Sequence, residues 1–315
     1  MLRHRRQTRR LRITPDLDDR PLRRVLAEMR PSHQLHGLGA DTGRAPWRPV
    51  AELLHDTGTD WDRRTHRISV IAAALPPVLA DRWAAACPDS ADAAVVRAHV
   101  QADRATETGA ARAEQLCVQA GEAFPADPTP WIALLSLLRA RQVPVRHVWP
   151  VWHEITVRDP ANRHAHHELL RLLSPRGAGS LTLMNGFARS AADAAPPGSP
   201  LALLPLAART EHYGHRITPG SPDALGVGMH WYEPGVAADI EHALDHWFRT
   251  AAAPHAQAMT DLNLLAFALT RAHRLTEASP VFRRIGPYMT PHPWNLVPDQ
   301  DPAATFRYWT AGHTR

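Results

Sequence analysis

Apolar residues recur along most of this chain at intervals of three and four, which is the pattern of amphipathic α-helices. Residues 131–138 are almost continuously apolar and predict a buried helix. After a break at 142–144, residues 148–155 predict a second helix, with Pro150 near its first turn, where a missing N–H costs little. No alternation of apolar and polar residues is long enough to predict a strand. The pattern therefore indicates an all-α protein.

Proline-bearing turns separate the predicted helices at a nearly constant interval. Pro88, Pro125, Pro160 and Pro197 lie 37, 35 and 37 residues apart, close to the ~34 residues of a tetratricopeptide unit. Each interval has room for two helices. Because a single helical pair cannot bury its own apolar face, such units stack on their neighbours. The predicted fold is a tetratricopeptide-like α-α superhelix, a solenoid of antiparallel helix pairs.

The interval fails once, because the next comparable turn after Pro197 is Pro254, 57 residues on. The surplus falls in 215–235, and so long a loop inside a compact array is usually functional or mobile. We interpret it as an inserted loop, a candidate lid or second contact. Three parts are predicted: a disordered basic arm at 1–13, an N-terminal helical region at 14–80, and repeats at 81–315. The other predicted helical segments are 21–29, 50–55, 68–79, 237–249 and 256–271, with 291–294 as a cap on the last pair.

Several short motifs between residues 45 and 300 resemble those of a known group. They are DWDRRTHR at 60–67, DPTPW at 127–131, VWP at 148–150, RDPANR at 158–163, GSPL at 198–201, and IGP followed by HPW within 285–294. On these motifs the chain is similar to actinobacterial tetratricopeptide-repeat-like proteins. The resemblance implies a helical scaffold and carries no catalytic residue with it.

Every one of the 36 basic residues is arginine, so each basic side chain is a planar group that stays protonated. The net charge of +5 is unevenly placed, because residues 1–12 hold six arginines and no acid, whereas the remainder has 30 arginines against 31 acids. Without lysine, Schiff-base chemistry and lysine-dependent phosphate binding are excluded. The arm is a candidate for non-specific phosphate contact, although no aromatic residue interleaves it for base stacking. Its residues are Arg3, Arg5, Arg6, Arg9, Arg10 and Arg12.

Other features of the sequence bear on location and cofactors. No apolar run approaches the ~20 residues of a membrane span, and no apolar segment follows the arm as it does in a secretory signal. Cys87 and Cys117 are far apart, which fits a reducing cytoplasm. Cys117 stands among apolar residues and is interpreted as a packed thiol. The chain has no GxGxxG, GxxxxGK[ST] or GxSxG motif, so we expect a cytoplasmic protein without a cofactor.

The repeat register places polar residues at equivalent positions of neighbouring helices. If Trp131 is the fourth position of its helix, His166 is its equivalent one repeat later. The positions that line the groove in such repeats would then form one concave surface of imidazole, carboxylate and guanidinium groups. Arginine pairs with carboxylates through two parallel hydrogen bonds, so the expected partner is a protein or peptide. The surface is predicted to contain Arg139, His164, His167, Glu168, Arg171, Glu211, His212 and His215.

Three interpretations of this surface remain open at the level of sequence. It is a solvated polar face, a groove for a peptide tail or acidic segment, or a metal site. His164 and His167 share a helix face and, with Glu168, suit zinc, iron or manganese, which is the basis for a metal-dependent or accessory enzyme. The cluster at 241–246 lacks the HExxH order and is interpreted as a surface feature. The leading prediction is a protein-binding scaffold, with nucleic-acid contact through the arm as a further alternative.

Overall fold

The structure, a computed structural model, describes residues 11–29, 45–221, 223–250 and 254–313. Within these ranges the chain is all-helical, as predicted, and its one extended pairing is an isolated parallel bridge between Arg12 and Tyr288. The chain divides into an N-terminal unit, residues 19–195, and a C-terminal unit, residues 196–313 with 11–18. The predicted boundaries at 13 and 80 differ from this division, because helices before residue 80 pack on those that follow it.

The described part of the N-terminal unit contains ten α-helices, and the last six form three consecutive pairs. The second helices of these pairs are α6, α8 and α10. Their first helices, α5, α7 and α9, follow the proline-bearing turns at 88, 125 and 160, in agreement with the predicted interval. The helices are α1 (Arg20–Met29), α2 (Arg48–Thr57), α3 (Trp61–Ala74), α4 (Pro77–Ala86), α5 (Ala91–Asp103), α6 (Ala110–Ala123), α7 (Thr129–Ala140), α8 (Trp149–Thr156), α9 (Arg163–Leu172) and α10 (Leu181–Asp193).

Side chains in the turns determine where these first helices begin. The Ser90 hydroxyl accepts the N–H of Ala93 at 3.3 Å, and the Asn162 side chain accepts the N–H of Ala165 at 3.0 Å. Asp127 accepts the N–H of Thr129 at 2.8 Å. Each contact satisfies a backbone donor that the first turn of a helix leaves unpaired.

Successive pairs pack on one another through a close contact between α6 and α7. α5 contacts both α6 and α7, and α7 contacts both α8 and α9. Trp131 of α7 is buried against Gly121 of α6, where an added Cβ would lie 2.5 Å from the indole ring. Only a residue without a side chain fits at position 121, because the ring lies directly on the helix backbone.

α3 contacts more of the unit than its neighbours in sequence, since it packs on α5, α7 and α9. Its Arg64 pairs with Asp92 in the first turn of α5 at 2.6 Å and with Asp127 before α7 at 2.9 Å. The Thr65 hydroxyl accepts a hydrogen bond from Asn162, the N-cap of α9, at 3.3 Å. α3 therefore lies against the starts of α7 and α9 as well as along α5.

The single helix predicted at 68–79 is instead divided between α3 and α4. Pro76 and Pro77 stand at the break, because proline lacks an N–H donor and disfavours helix in the residue before it. Arg104, the C-cap of α5, donates to the Ala73 carbonyl at 2.9 Å and holds the end of α3. In the described ranges no single helix is long and apolar enough to cross a membrane; α3 and α4 meet that test only as a pair bent by 119°.

The C-terminal unit packs its helices around an aromatic core. Trp294 is fully buried, and its ring centroid lies 5.5 Å from that of Phe267, 6.0 Å from Phe282 and 5.3 Å from Phe306. Its indole N–H donates to Asn263 at 2.8 Å. The segment predicted as a cap thus fills the core. The helices are α11 (Leu204–Arg216), α12 (Val236–Ala243), α13 (Ala258–Arg271), α14 (Leu275–Ile285), α15 (Pro291–Trp294) and α16 (Pro302–His313), with a π-helical turn at Leu244–Phe248.

Gly121→Ala tests the contact between helix pairs. Alanine is the better helix former by about 1 kcal/mol, but here its methyl group would overlap the indole of Trp131. We expect a loss of about 1–3 kcal/mol of unfolding free energy from overpacking, measured by urea denaturation followed by circular dichroism.

Gly186→Ala is the matched control, because position 186 is also within a helix and an added Cβ there meets nothing within 4 Å. This variant is expected to gain stability by up to about 1 kcal/mol. Equal effects of the two substitutions would contradict the packing described for Trp131.

Candidate functional site

Two arginines from consecutive first helices converge on one buried carboxylate. Arg139 of α7 donates from Nε to Glu168 Oε2 at 2.7 Å, and Arg171 of α9 donates from Nη1 to Glu168 Oε1 at 2.6 Å. The Ser136 hydroxyl adds a third contact to the same carboxylate at 3.2 Å. Both arginines lie in the last turn of their helices, where the helix dipole favours a positive charge. The contacts thus bring together three of the residues that the sequence predicted for this surface, Arg139, Glu168 and Arg171.

The electrostatics of this cluster keep Glu168 ionised. Burial alone would raise the pKa of the Glu168 carboxyl, but the charges of Arg171 and Arg139 outweigh it and lower the pKa to about 2. Two guanidinium groups therefore hold this carboxylate in its charged form. The side chains of Arg139 and Arg171 remain 36% and 40% exposed, whereas that of Glu168 is 6% exposed. The two arginines are the accessible part of the site.

The neighbouring histidines are neutral at physiological pH. Burial lowers the pKa of His164 to about 3 against the opposing charge of Glu168. For His167, burial and then the charges of Arg163 and Arg171 lower the pKa well below its ordinary value. The Nε2 atom of His167 is buried and has no hydrogen-bond partner in the described part of the chain. These imidazoles therefore add no positive charge to the cluster.

The interpretation of this surface as a solvated polar face is wrong for two of its members. His167 and Glu168 are both buried, and only Arg139, Arg171 and the half-buried His164 reach solvent. The difference arises because Glu168 faces α7, whose Ser136 and Arg139 cover it. Ser136 lies one turn before Arg139, and this spacing puts both residues on one helix face. The same spacing could have predicted from the sequence that Ser136 contacts Glu168.

The remaining predicted surface residues belong to the C-terminal unit. Glu211 and His212 lie half-buried on α11. The ring of His212 contacts that of His230 edge-on, with centroids 5.1 Å apart. His215 lies 3.5 Å from Asp223, measured from Nε2 to Oδ2. His212 and His215 therefore lie beside the loop that follows α11.

That loop is held in place by one buried arginine that sequence analysis missed. Arg216, the last residue of α11, donates from Nε to the Asp223 carbonyl at 3.0 Å and from Nη2 to the Leu225 carbonyl at 2.8 Å. Its Nη1 pairs with Glu233 and donates to His230 Nδ1 at 3.3 Å. Between these anchors the chain forms a 3-10 helix at Val227–Tyr232. Arg216 is thus bonded to four residues of this segment, from Asp223 to Glu233.

The metal alternative finds no ready geometry in the described ranges, where no three His, Cys, Asp or Glu side chains converge as metal ligands do. Glu168 was the carboxylate predicted to bind a metal together with His164 and His167. Each of its two oxygens instead accepts a hydrogen bond from an arginine. In the cluster at 241–246, Glu241 pairs with Arg274 and Asp245 pairs with Arg249. The structure therefore gives arginine, not metal, as the partner of these carboxylates.

Two further sequence predictions concern the arm and the cysteines. Arg12 is the one arginine of the arm that the structure describes; its backbone pairs beside Tyr288, and its guanidinium lies 5.7 Å from that ring. Arg3, Arg5, Arg6, Arg9 and Arg10 lie outside the described residues. Cys117 is fully buried, and burial raises the pKa of its thiol to about 12. That thiol is packed, as predicted.

Comparison of the chain with protein-family models, with curated proteins and with solved structures gave no match. Function is therefore inferred from the geometry of the site.

Glu168→Gln tests the charge cluster through its pH dependence. A carboxyl whose pKa falls from 4.5 to about 2 on folding contributes about 3 kcal/mol of stability. That contribution is complete above the unfolded pKa and is lost as the pH falls towards 2. We expect the variant to be less stable than the wild type by about 3 kcal/mol near neutral pH, with a deficit that shrinks below about pH 4.5. Urea denaturation across this range measures it.

The control is Glu52→Gln, which removes an exposed carboxylate paired with Arg48 on α2. An exposed pair contributes little, so its urea midpoint should change little at any pH. A deficit of the Glu168 variant that stays constant down to about pH 2 would show that its carboxylate is not held ionised.

Arg216→Lys tests the anchor of the loop. Lysine keeps the charge but cannot reach four acceptors in the plane of a guanidinium. The amide of Met229, bonded to the Gly226 carbonyl at 2.9 Å, should exchange at least about tenfold faster, because hydrogen bonds to charged groups contribute about 1.5–3 kcal/mol each. Hydrogen exchange with mass spectrometry measures this. The control Arg283→Lys changes an exposed arginine on α14, and equal exchange in both variants would exclude the anchor.

Proposed function

We propose that this chain is a tetratricopeptide-repeat-like scaffold that binds an acidic segment of a partner protein through the Arg139–Arg171 surface, defined as these two side chains. The observation that supports it is that two half-exposed guanidinium groups from consecutive helix pairs converge on Glu168. A guanidinium has five N–H donors, and Glu168 uses only the Nε–H of Arg139. A carboxylate supplied by a partner can therefore bind the Nη groups of Arg139.

Donor groups are available for such a partner. The two Nη groups of Arg139 make no hydrogen bond within the described residues, since only its Nε contacts Glu168. Glu168 holds the guanidinium plane fixed, so less conformational entropy is lost when a partner carboxylate binds. A planar fork that is already oriented suits bidentate carboxylate binding.

The position of α3 leaves this surface open. Arg64 and Thr65 of α3 contact the residues at the starts of α7 and α9. Arg139 and Arg171 lie in the last turns of the same two helices, at the opposite ends. The α3 contacts and the proposed partner contacts therefore use different ends of α7 and α9.

The test uses the full-length protein and an array of synthetic peptides in matched pairs, one acidic and one with Asp and Glu replaced by Asn and Gln. Arg139→Gln with Arg171→Gln should weaken binding of acidic peptides at least about tenfold, because each charged hydrogen bond contributes about 1.5–3 kcal/mol. Binding of the wild type should weaken with salt. Fluorescence anisotropy of the peptides that bind measures both effects.

The control Arg141→Gln with Arg189→Gln removes the same charge from exposed positions of the same unit and should bind like the wild type. If the double variant unfolds because Glu168 is left unpaired, the triple variant that also carries Glu168→Gln removes the unpaired charge. Acidic peptides that bind wild type and folded variants equally would refute the proposal.

A further inference from the structure

A second surface of the N-terminal unit exposes large apolar side chains on α8 and α10. Trp149 is 44% exposed and Leu183 is 46% exposed. Trp152 and Phe187 are half-buried between them and meet edge to face, with ring centroids 5.7 Å apart. These four residues join the two helices into one apolar area, which we name the α8–α10 surface.

The exposed residues are separate from those that hold these helices to the unit. α8 buries Val151 and Ile155, and α10 buries Met184, Ala188 and Ala192. The exposed pairs, by contrast, are spaced three residues apart on α8 and four apart on α10, so each pair shares a helix face. The packing of the two helices therefore does not require the exposed Trp149 and Leu183.

The rings at the centre of this surface are fixed from below by a buried histidine. His166 stacks on Phe187 with centroids 5.7 Å apart and meets Trp152 edge-on at 4.9 Å. The imidazole is itself held by a 2.8 Å hydrogen bond between Nδ1 and the Asn162 carbonyl. A surface whose rings are already ordered loses little entropy when a partner covers it.

One exposed arginine gives the border of this surface a positive charge. Arg146 lies one turn before Trp149, with no ion pair in the described part of the chain. The nearest carboxylate on the same helix, Glu154, is bonded to Arg158 at 2.6 Å. The complementary partner therefore combines apolar side chains with acidic ones.

We propose that the α8–α10 surface binds an amphipathic helix of a partner protein, whose apolar residues recur every three or four positions and are flanked by Asp or Glu. Helices of this kind dock their apolar faces into apolar grooves. A second copy of this chain fits less well, because the positive border would face itself. Single-stranded nucleic acid fits less well. Proteins that bind it follow its backbone with a basic groove and stack its bases on aromatic rings, whereas this surface has one bordering arginine, and Leu183 has no ring on which a base could stack. The surface shares no residue with the Arg139–Arg171 surface.

The experiment selects binders to the full-length protein from a phage-displayed library of random peptides. The comparison variant is Trp149→Ser with Leu183→Ser, two side chains exposed enough for the fold to remain. The control is Val157→Ser, which removes an apolar side chain, 61% exposed, from the C-cap of α8 outside this surface. Anisotropy of the selected peptides then gives affinities for each variant.

We expect the selected peptides to carry apolar residues at helical spacing with acidic flanks. The double variant should bind them at least about tenfold more weakly, as for aromatic residues central to an interface, and Val157→Ser should bind them normally. Arg146→Gln should weaken binding about two- to fivefold, the range of an exposed ion pair. The variant of Arg139 and Arg171 should bind these peptides normally, which separates this surface from the proposed function.

Four results would overturn the inference. In the first, the selection yields no peptide above background; in the second, the selected peptides have basic flanks. In the third, the selected peptides bind the double variant as tightly as the wild type. In the fourth, the wild type binds oligothymidylate and the double variant does not. A dimer in sedimentation that the double variant dissociates would likewise assign this surface to a second copy.

Discussion

A pair of helices has more apolar surface than it can cover by itself, and the N-terminal unit is arranged to solve this problem. Each pair covers the next, most closely where the Trp131 ring lies on the bare backbone at Gly121. The first pair of the series has no earlier pair to cover it in the same way. α3 takes that place and extends further, because it contacts α5, α7 and α9 together.

Arginine makes this arrangement possible in a chain without lysine. Arg64 joins α3 to the carboxylates Asp92 and Asp127, and Arg67 joins it to Asp19 at 2.8 Å. These guanidinium groups are buried and bonded to carboxylates on other segments, which offsets the cost of taking their charge out of water. Arg139 and Arg171 have the same chemistry but remain half exposed. Exposure, not residue type, distinguishes the arginines that hold the fold from those available to a partner.

Much of the helix order could be predicted because proline spacing is local information. Proline is tolerated in the first turn of a helix and disfavours helix before it, so the interval located the starts of α5, α7 and α9. The same register predicted that Arg139, Glu168 and Arg171 would lie on one surface. Their burial could not be predicted, because it depends on which face of α9 the side chains of α7 cover. The path of α3 across three helices depends on pairs such as Arg64 with Asp127, which are 63 residues apart. The spacing of apolar residues and prolines does not indicate which residues so far apart in sequence will form a pair.

The tryptophans show the same limit. Filling space between helices is the common role of a large ring in a helical array, and it describes Trp83 and Trp294, which are fully buried. Trp149 and Trp152 occur in a segment with the same apolar pattern, yet they point to solvent or to Phe187. The difference follows from the short length of α8, whose eight residues bury only Val151 and Ile155.

The hydrogen bonds of His230 determine how the loop after α11 responds to acid. Its Nδ1 accepts a hydrogen bond from Arg216, so its own proton is on Nε2, which donates to the Arg209 carbonyl at 3.0 Å. Burial lowers the pKa of His230 to about 4. A second proton on the ring would have to displace the guanidinium of Arg216, so this bond and the burial of the ring both favour neutral His230. Protonation of His230 would therefore release Arg216 from one of the four residues that it bonds between Asp223 and Glu233.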